Sequence, residues 1–168
     1  MLKRELILNL PNRQSIFLWG ARQTGKSSYL KTNFNHAIYY DLLDTHEMLR
    51  FTRTPFLLRE EILALTEQER SQPVIIDEIQ KVPALLNEIH WLIEHTSAQF
   101  ILCGSSARKL KTHATNLLGG RAWKFHFFPL VSAEIPDFNL LHALHCWKKF
   151  EAFYFNGITS IYKHDTQT

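Results

Sequence analysis

Cysteine is nearly absent from this 168-residue chain. There are two, Cys103 and Cys146, too few for the disulfide framework that holds small secreted domains together. Glycine and proline are scarce, six of each, which excludes collagen-like and low-complexity chains. Neither sign of charge dominates: 19 Lys plus Arg face 16 Asp plus Glu, a net charge of +3. A field that mild does not dictate a nucleic-acid or membrane partner. No apolar stretch approaches the ~20 residues that span a bilayer. The start, Met1-Leu2-Lys3-Arg4-Glu5, leads only to a short apolar piece, Leu6 to Leu10, before Pro11, unlike a secretory leader. What remains is 45% hydrophobic and 21% charged. It reads as one globular, cytoplasmic domain, long enough to bury a core.

Short apolar runs alternate with helical stretches, the pattern of an α/β layered fold. Ile16-Phe17-Leu18-Trp19, Ala37-Ile38-Tyr39-Tyr40, Val74-Ile75-Ile76, Phe100-Ile101-Leu102-Cys103 and Phe125-His126-Phe127-Phe128 read as five strands. Runs apolar at nearly every position suit strands covered on both faces. Leu85, Leu86, Ile89, Leu92 and Ile93 share one helical face, with Pro83 at the first turn. Leu57, Leu58, Ile62 and Leu65 share another. Asp44, with Glu47 three residues on, marks a helix start. Glu67 to Gln72 reads as a polar loop. The expected architecture is a three-layer P-loop fold: a mainly parallel sheet of about five strands, the P-loop strand central, helices on both faces.

The sharpest motif is Gly20-Ala21-Arg22-Gln23-Thr24-Gly25-Lys26-Ser27, which fits G-x-x-x-x-G-K-[ST] between a strand and a helix. Glycines let the backbone turn tightly, so that successive N–H groups converge on a phosphate. The helix that follows adds the positive end of its dipole. Lys26 brings an ammonium to the β- and γ-phosphates, and the Ser27 hydroxyl is a Mg²⁺ ligand. Ser28 completes the candidate nucleotide-binding stretch. The alternative is an ordinary strand-loop-helix turn.

Val74-Ile75-Ile76-Asp77-Glu78 ends an apolar strand on two carboxylates, the Walker B arrangement. Asp77 is the candidate second holder of Mg²⁺, and Glu78 the candidate that directs or deprotonates an attacking water. Open α/β sheets place their ligands at such strand ends. Cys103-Gly104-Ser105-Ser106 closes the next strand. Ser105 or Ser106 either senses the γ-phosphate or caps a helix. From Arg108 to Lys124 there are five basic residues (Arg108, Lys109, Lys111, Arg121, Lys124) and no acidic one. Arg121 is a candidate for stabilising transition-state charge, within its chain or across a subunit boundary. The stretch otherwise fits nucleic-acid phosphates or a solvated loop. Asp41 closes the second strand and either faces the site or, the better fit, serves a turn or cap. Arg22 either touches nucleotide or a partner or, the better fit, faces solvent. His142, His145 and Cys146 form an incomplete zinc-like set.

Taken together, GARQTGKSS, VIIDEIQKVPALLNEIHWLIE, FILCGSSARKL, LLGGRA and FPL-x-x-x-E ending at Glu134 resemble bacterial and archaeal AAA-type P-loop ATPases. In these the ATPase domain is usually followed by a C-terminal domain of unknown function. The resemblance covers about the first 140 residues. It implies an AAA-like core that binds and hydrolyses ATP with Mg²⁺. Lys26 and Ser27 become nucleotide and Mg²⁺ contacts, Asp77 and Glu78 the Walker B pair. Ser105 or Ser106 becomes the sensor and Arg121 the basic residue near the phosphates. Rings of such subunits make a homo-oligomer the implied assembly. Family members are longer than this chain. Residues 142–168, with six aromatics and no family motif, read as a divergent, truncated or frame-shifted tail after an ATPase domain of residues 1–141. The function expected is that of a Mg²⁺-dependent ATPase. The alternatives are a nucleotide-binding module without turnover and a kinase acting on a small molecule or nucleotide.

Overall fold

A computed structural model describes residues 3–10, 14–105, 118, 121–141 and 144. The chain divides into two compact units between Val131 and Ser132. Of the second unit, residues 132–141 and 144 are described, with one 3₁₀ turn at Ser132–Glu134. The tail 142–168 therefore lies outside the described residues, Leu144 excepted, and so do Ser106, Arg108, Lys109, Lys111, His142, His145 and Cys146.

The first unit, Lys3–Val131, is built on a sheet. Its strands are β1 (Ser15–Trp19), β2 (Ile38–Asp41), β3 (Val74–Asp77), β4 (Phe100–Gly104) and β5 (Ala122–His126). They lie in the order β2-β3-β4-β1-β5, and every pairing is parallel. The helices are α1 (Lys26–Asn33), α2 (Thr45–Arg53), α3 (Leu57–Ala64), α4 (Glu67–Arg70) and α5 (Leu85–His95), with a 3₁₀ turn at Ile79–Lys81 after β3.

Side chains alternate between two cores, as the period of two requires. Phe17, Trp19, Val74, Ile76, Phe100 and Leu102 pack with Phe51, Leu58, Ile62, Leu85, Leu86, Ile89 and Leu92 of α2, α3 and α5. Ile16, Leu18, Ile75, Ile101 and Cys103 pack with Leu8, Phe127 and the α1 residues Tyr29 and Leu30. The sheet is thus covered on both faces, as its sequence implied. α1 is short and rich in Ser, Thr and Asn, which cost about 0.5 kcal/mol each relative to alanine in a helix. Burial of Tyr29 and Leu30, at roughly 1.5–3 kcal/mol for a large apolar side chain, offsets that cost.

Four expectations differ from the structure. β1 is flanked by β4 and β5, so β4 rather than the P-loop strand stands in the middle of the described sheet. β5 begins at Ala122 rather than Phe125. Its ladder with β1 starts at Ser15↔Ala122, and as an edge strand with Trp123, Lys124 and His126 exposed it lacks a buried strand's apolar run. Glu67–Gln72 is not a loop throughout: Thr66 and Glu69 form a reciprocal capping box that starts α4. The helix buries no residue, so it left no apolar period to read. Asp44 does cap α2, accepting from the His46 N–H at 2.8 Å, but Glu47 turns to Arg50 at 2.7 Å instead of back to the cap.

The parallel register brings the C-terminal ends of all five strands to one edge. Trp19 pairs with Gly104 and His126, and Asp41 pairs with Asp77.

Candidate functional site

The P-loop leaves β1 at that edge. Gly20 is required by a close approach, since a Cβ there would lie 2.2 Å from the Phe127 carbonyl oxygen. Gly25 has φ +88°, the left-handed region that favours glycine, and it caps α1 without a side-chain hydrogen bond. The first-turn N–H groups of α1 thus have no side-chain acceptor at the cap, the arrangement that receives an anion. Lys26 is 5% exposed and folds back across the loop, donating at 2.7 Å to the carbonyls of Gly20 and Ala21. Thr24 braces the loop by donating to the Ala21 carbonyl at 2.9 Å. Ala21, Arg22, Gln23 and Ser28 are exposed along its rim.

Arg4 reaches the loop from the N-terminal segment. It donates to the Thr24 carbonyl at 2.9 Å and to the Phe128 carbonyl at 2.6 Å, with its guanidinium 4.1 Å from the centre of the Phe127 ring. Tyr29 holds the same segment on α1, its hydroxyl donating to the Leu6 carbonyl at 2.8 Å. Nothing in the local pattern around Arg4 pointed to the P-loop.

β3 delivers Asp77 and Glu78, 2% and 7% exposed. The Asp77 carboxylate is surrounded by donors. Its Oδ2 accepts from Ser27 Oγ at 2.6 Å and from the Tyr39 hydroxyl at 2.5 Å, and its Oδ1 accepts from the Glu78 N–H at 3.0 Å. Burial, and then the neighbouring Asp77 carboxylate, push the Tyr39 phenol well above its ordinary range, so Tyr39 is a neutral donor. Burial likewise pushes the Cys103 thiol up. That keeps it protonated, a small core side chain beside the site. Sequence reasoning missed Tyr39, because only strand order places β2 beside Asp77.

Glu78 takes a left-handed backbone, φ 57° and ψ 43°, and opens the 3₁₀ turn. That turn carries Gln80 back over it. The Gln80 amide donates to Glu78 Oε2 and to Ser105 Oγ at 3.2 Å, while Ser105 Oγ donates to Glu78 Oε2 at 3.1 Å. Gly104 makes room: a Cβ there would lie 2.3 Å from Gln80 Oε1 and 2.7 Å from Trp19. Gln80 Oε1 is buried with no partner, a cost of about 1–3 kcal/mol carried beside two used donors. Gln80 stands inside the DEIQ segment, the one sequence signal that could have found it.

The structure therefore brings together Gly20 to Ser28, Asp77, Glu78 and Ser105. It does not bring Arg121 to them, which corrects the expectation that Arg121 lies near the phosphates of its own chain. Arg121 precedes β5, and its carbonyl accepts from the Ser15 N–H at 2.9 Å, so it sits at the opposite edge of the sheet. The rise of β5, about 3.3 Å per residue or roughly 16 Å in all, separates the two. There Arg121 pairs with Glu94. Asp41 serves the turn after β2, its Oδ1 accepting from the Leu43 N–H at 2.9 Å.

Ser27 and Asp77 bring a hydroxyl and a carboxylate to one point. Both are hard oxygen ligands of the kind that Mg²⁺ takes alongside phosphate oxygens and waters, so the residues fit the ion. Among the described residues, no three or more His, Cys, Asp or Glu gather to hold a metal on their own, and no helix is long and apolar enough to cross a membrane.

Residues 12–136 match a protein family described as AAA domain, well over half of the chain. No curated protein matches. Among solved structures, AMPPCP-bound DnaA from Aquifex aeolicus is similar at 18% identity and TM-score 0.46, covering 67% of this chain and 40% of that one. Replication initiator DnaA bound to AMPPCP and single-stranded DNA is similar at 18% identity and TM-score 0.45 over 67% and 40%. Pif1 helicase from Candida albicans is similar at 14% identity and TM-score 0.38 over 76% and 42%. The chain thus spans about two fifths of the length of these proteins.

Proposed function

The chain belongs to the AAA domain family, a family of P-loop nucleotide-binding domains, and from that premise we propose that it binds ATP with Mg²⁺ and hydrolyses it to ADP and phosphate. The observation that carries the reading is the 2.6 Å hydrogen bond from Ser27 to Asp77, with Glu78 next in the chain. It joins a phosphate-binding loop, a metal-holding carboxylate and a second carboxylate at one strand-end edge.

The residues divide the work. Backbone N–H groups of Gly20 to Lys26 and the amino end of α1 take the phosphate oxygens. Lys26 exchanges its two neutral carbonyl acceptors for anionic phosphate oxygens, so that both partners of the contact carry charge. Ser27 and Asp77 hold Mg²⁺, which when bound neutralises charge on the β- and γ-phosphates. Glu78 accepts the proton of the attacking water, and the Ser105 hydroxyl lies against the same carboxylate. Removing such a base costs about 10²–10⁴ in rate.

The test is phosphate release from Mg²⁺-ATP by the purified chain and by Glu78→Gln. The expected result is turnover in the first and a loss of at least a hundredfold in the second, with nucleotide binding kept. Equal rates overturn hydrolysis and leave a binding module. ADP release that appears only with an added phosphate acceptor assigns a kinase instead.

A further inference from the structure

We infer that Gln80 is a positioning residue for the reaction, holding the Glu78 carboxylate through its side-chain amide; the inference rests on the ATPase reading above. Three independent features of the structure converge on it. Both polar contacts of the Gln80 nitrogen go to the water-directing region, one to Glu78 Oε2 and one to Ser105 Oγ at 3.2 Å. Ser105 closes the ring by donating to the same Glu78 oxygen at 3.1 Å. A carboxylate on a flexible stem is thereby held from two directions. Its rotamer is set before substrate arrives, which is what a base within hydrogen-bond reach of a water requires.

The second feature is the orientation of the amide. Gln80 Oε1 is buried without a partner. Rotating the amide by half a turn would set that oxygen against the Glu78 carboxylate, acceptor on acceptor. The observed orientation keeps the donors on Glu78 and Ser105 and leaves the acceptor unsatisfied. A side chain placed for packing alone would have no reason to accept that arrangement.

The third is the space around it. The body of Gln80 lies where a Cβ on residue 104 would stand, 2.3 Å from Oε1. The left-handed turn at Glu78, closed by the Lys81 N–H on the Glu78 carbonyl at 2.8 Å, returns residue 80 over residue 78. The turn, the glycine and the amide form one assembly whose contacts end on Glu78.

The experiment compares steady-state ATP hydrolysis and nucleotide affinity for the full chain, Gln80→Met, Glu78→Gln and the double variant. Methionine keeps the length of the side chain and removes the donors. The expected result is a fall in kcat of tenfold or more for Gln80→Met, with KM for ATP, nucleotide affinity and thermal midpoint within about twofold or a few degrees. In the Glu78→Gln background the same substitution should change kcat less than twofold, because a residue acting through Glu78 has nothing left to position. Gln80→Leu, which also lacks the donors and adds no charge beside Glu78, gives the same reading if Gln80→Met fails to fold. Wild-type turnover in Gln80→Met, or an equal fractional loss with and without Glu78, overturns the inference alone. Absence of Glu78-dependent turnover in the unmodified chain overturns the ATPase reading, and this inference with it.

Discussion

Tyr39 places its hydroxyl 2.5 Å from Asp77 Oδ2, the oxygen that also takes the Ser27 hydroxyl at 2.6 Å. A residue of β2 thus shares a buried carboxylate with the first turn of α1. In the proposed reaction, where Ser27 would turn to Mg²⁺, Tyr39 is the donor left on that oxygen. Tyr39→Phe should therefore destabilise the chain by about 1–3 kcal/mol, the range for leaving a buried acceptor short of a donor. It should also raise the Mg²⁺ concentration needed for half-maximal turnover. Denaturant unfolding and a Mg²⁺ titration read the two effects separately.

The phenol also sets an alkaline limit. The folded state raises the Tyr39 pKa above its ordinary 10.0 and raises that of Tyr40 in the same direction. The folded chain then holds protons that the unfolded chain has released once pH exceeds 10. Stability contributed this way is fully present below pH 10 and declines above it. Unfolding free energy measured from pH 8 to 11 should fall at the alkaline end, and fall less steeply in Tyr39→Phe.

Lys26→Ala should abolish nucleotide stabilisation. Ligand at ~100 times its Kd adds ~2.7 kcal/mol to the folded state, which for a domain of this size is roughly 5–10 °C in thermal midpoint. The unmodified chain should show that shift with Mg²⁺-ATP, and the variant should show none.

The two crowded glycines should differ. At Gly20 an added Cβ meets a backbone carbonyl oxygen, Phe127 O at 2.2 Å, which cannot move without distorting the end of the sheet. At Gly104 it meets two side chains and no backbone: the end of Gln80, which can rotate away, and the buried Trp19 ring at 2.7 Å, which must shift. Gly20→Ala should cost about 1–3 kcal/mol or more, as overpacking does, and weaken nucleotide binding. Gly104→Ala should cost less in stability, its effect falling on turnover through Gln80. Chemical denaturation beside a turnover assay separates the two.

Arg121→Ala should leave nucleotide binding intact and cost under about 1 kcal/mol, because its pair with Glu94 is 44% and 36% exposed and ion pairs open to solvent contribute little. Nucleotide affinity and urea unfolding check this. A turnover defect that shrinks on dilution, as the unmodified chain loses the arginine of its neighbour, would instead show Arg121 serving a second copy of the chain.

The parts of this molecule that could be read from sequence are those whose determinants are contiguous. β1, β3 and β4 announce themselves because both faces are buried, and α5 because Leu85, Leu86, Ile89 and Leu92 recur at helical spacing. The P-loop and the Asp77-Glu78 pair are local runs with fixed spacing. α4 escaped, and the apolar pattern starts β5 at Phe125 instead of Ala122, because neither is buried enough to leave a period. Tyr39 and Arg4 escaped for another reason. Their contacts lie 38 and 20 residues away in sequence, and no local pattern encodes which strands become neighbours. The same missing information misplaced Arg121. The resemblance implied a place near the phosphates, within the chain or across a subunit boundary, whereas the parallel register puts it at the far edge of its own sheet.

The strand order has a consequence for how the site comes into being. β1 and β3 never touch as a pair, for β4 lies between them, and β4 is the last of the three to be synthesised. The Ser15 hydroxyl accepts from the Phe100 N–H across 85 residues, and until that long loop closes the P-loop and Asp77 belong to unconnected pieces of chain. A growing polypeptide that has not yet supplied Gly104 carries the P-loop and the Asp77-Glu78 pair and no site. Its nucleotide affinity should arrive late and all at once, on the slow timescale of non-local strand pairing, with the insertion of β4 as the event that turns two sequence motifs into one centre.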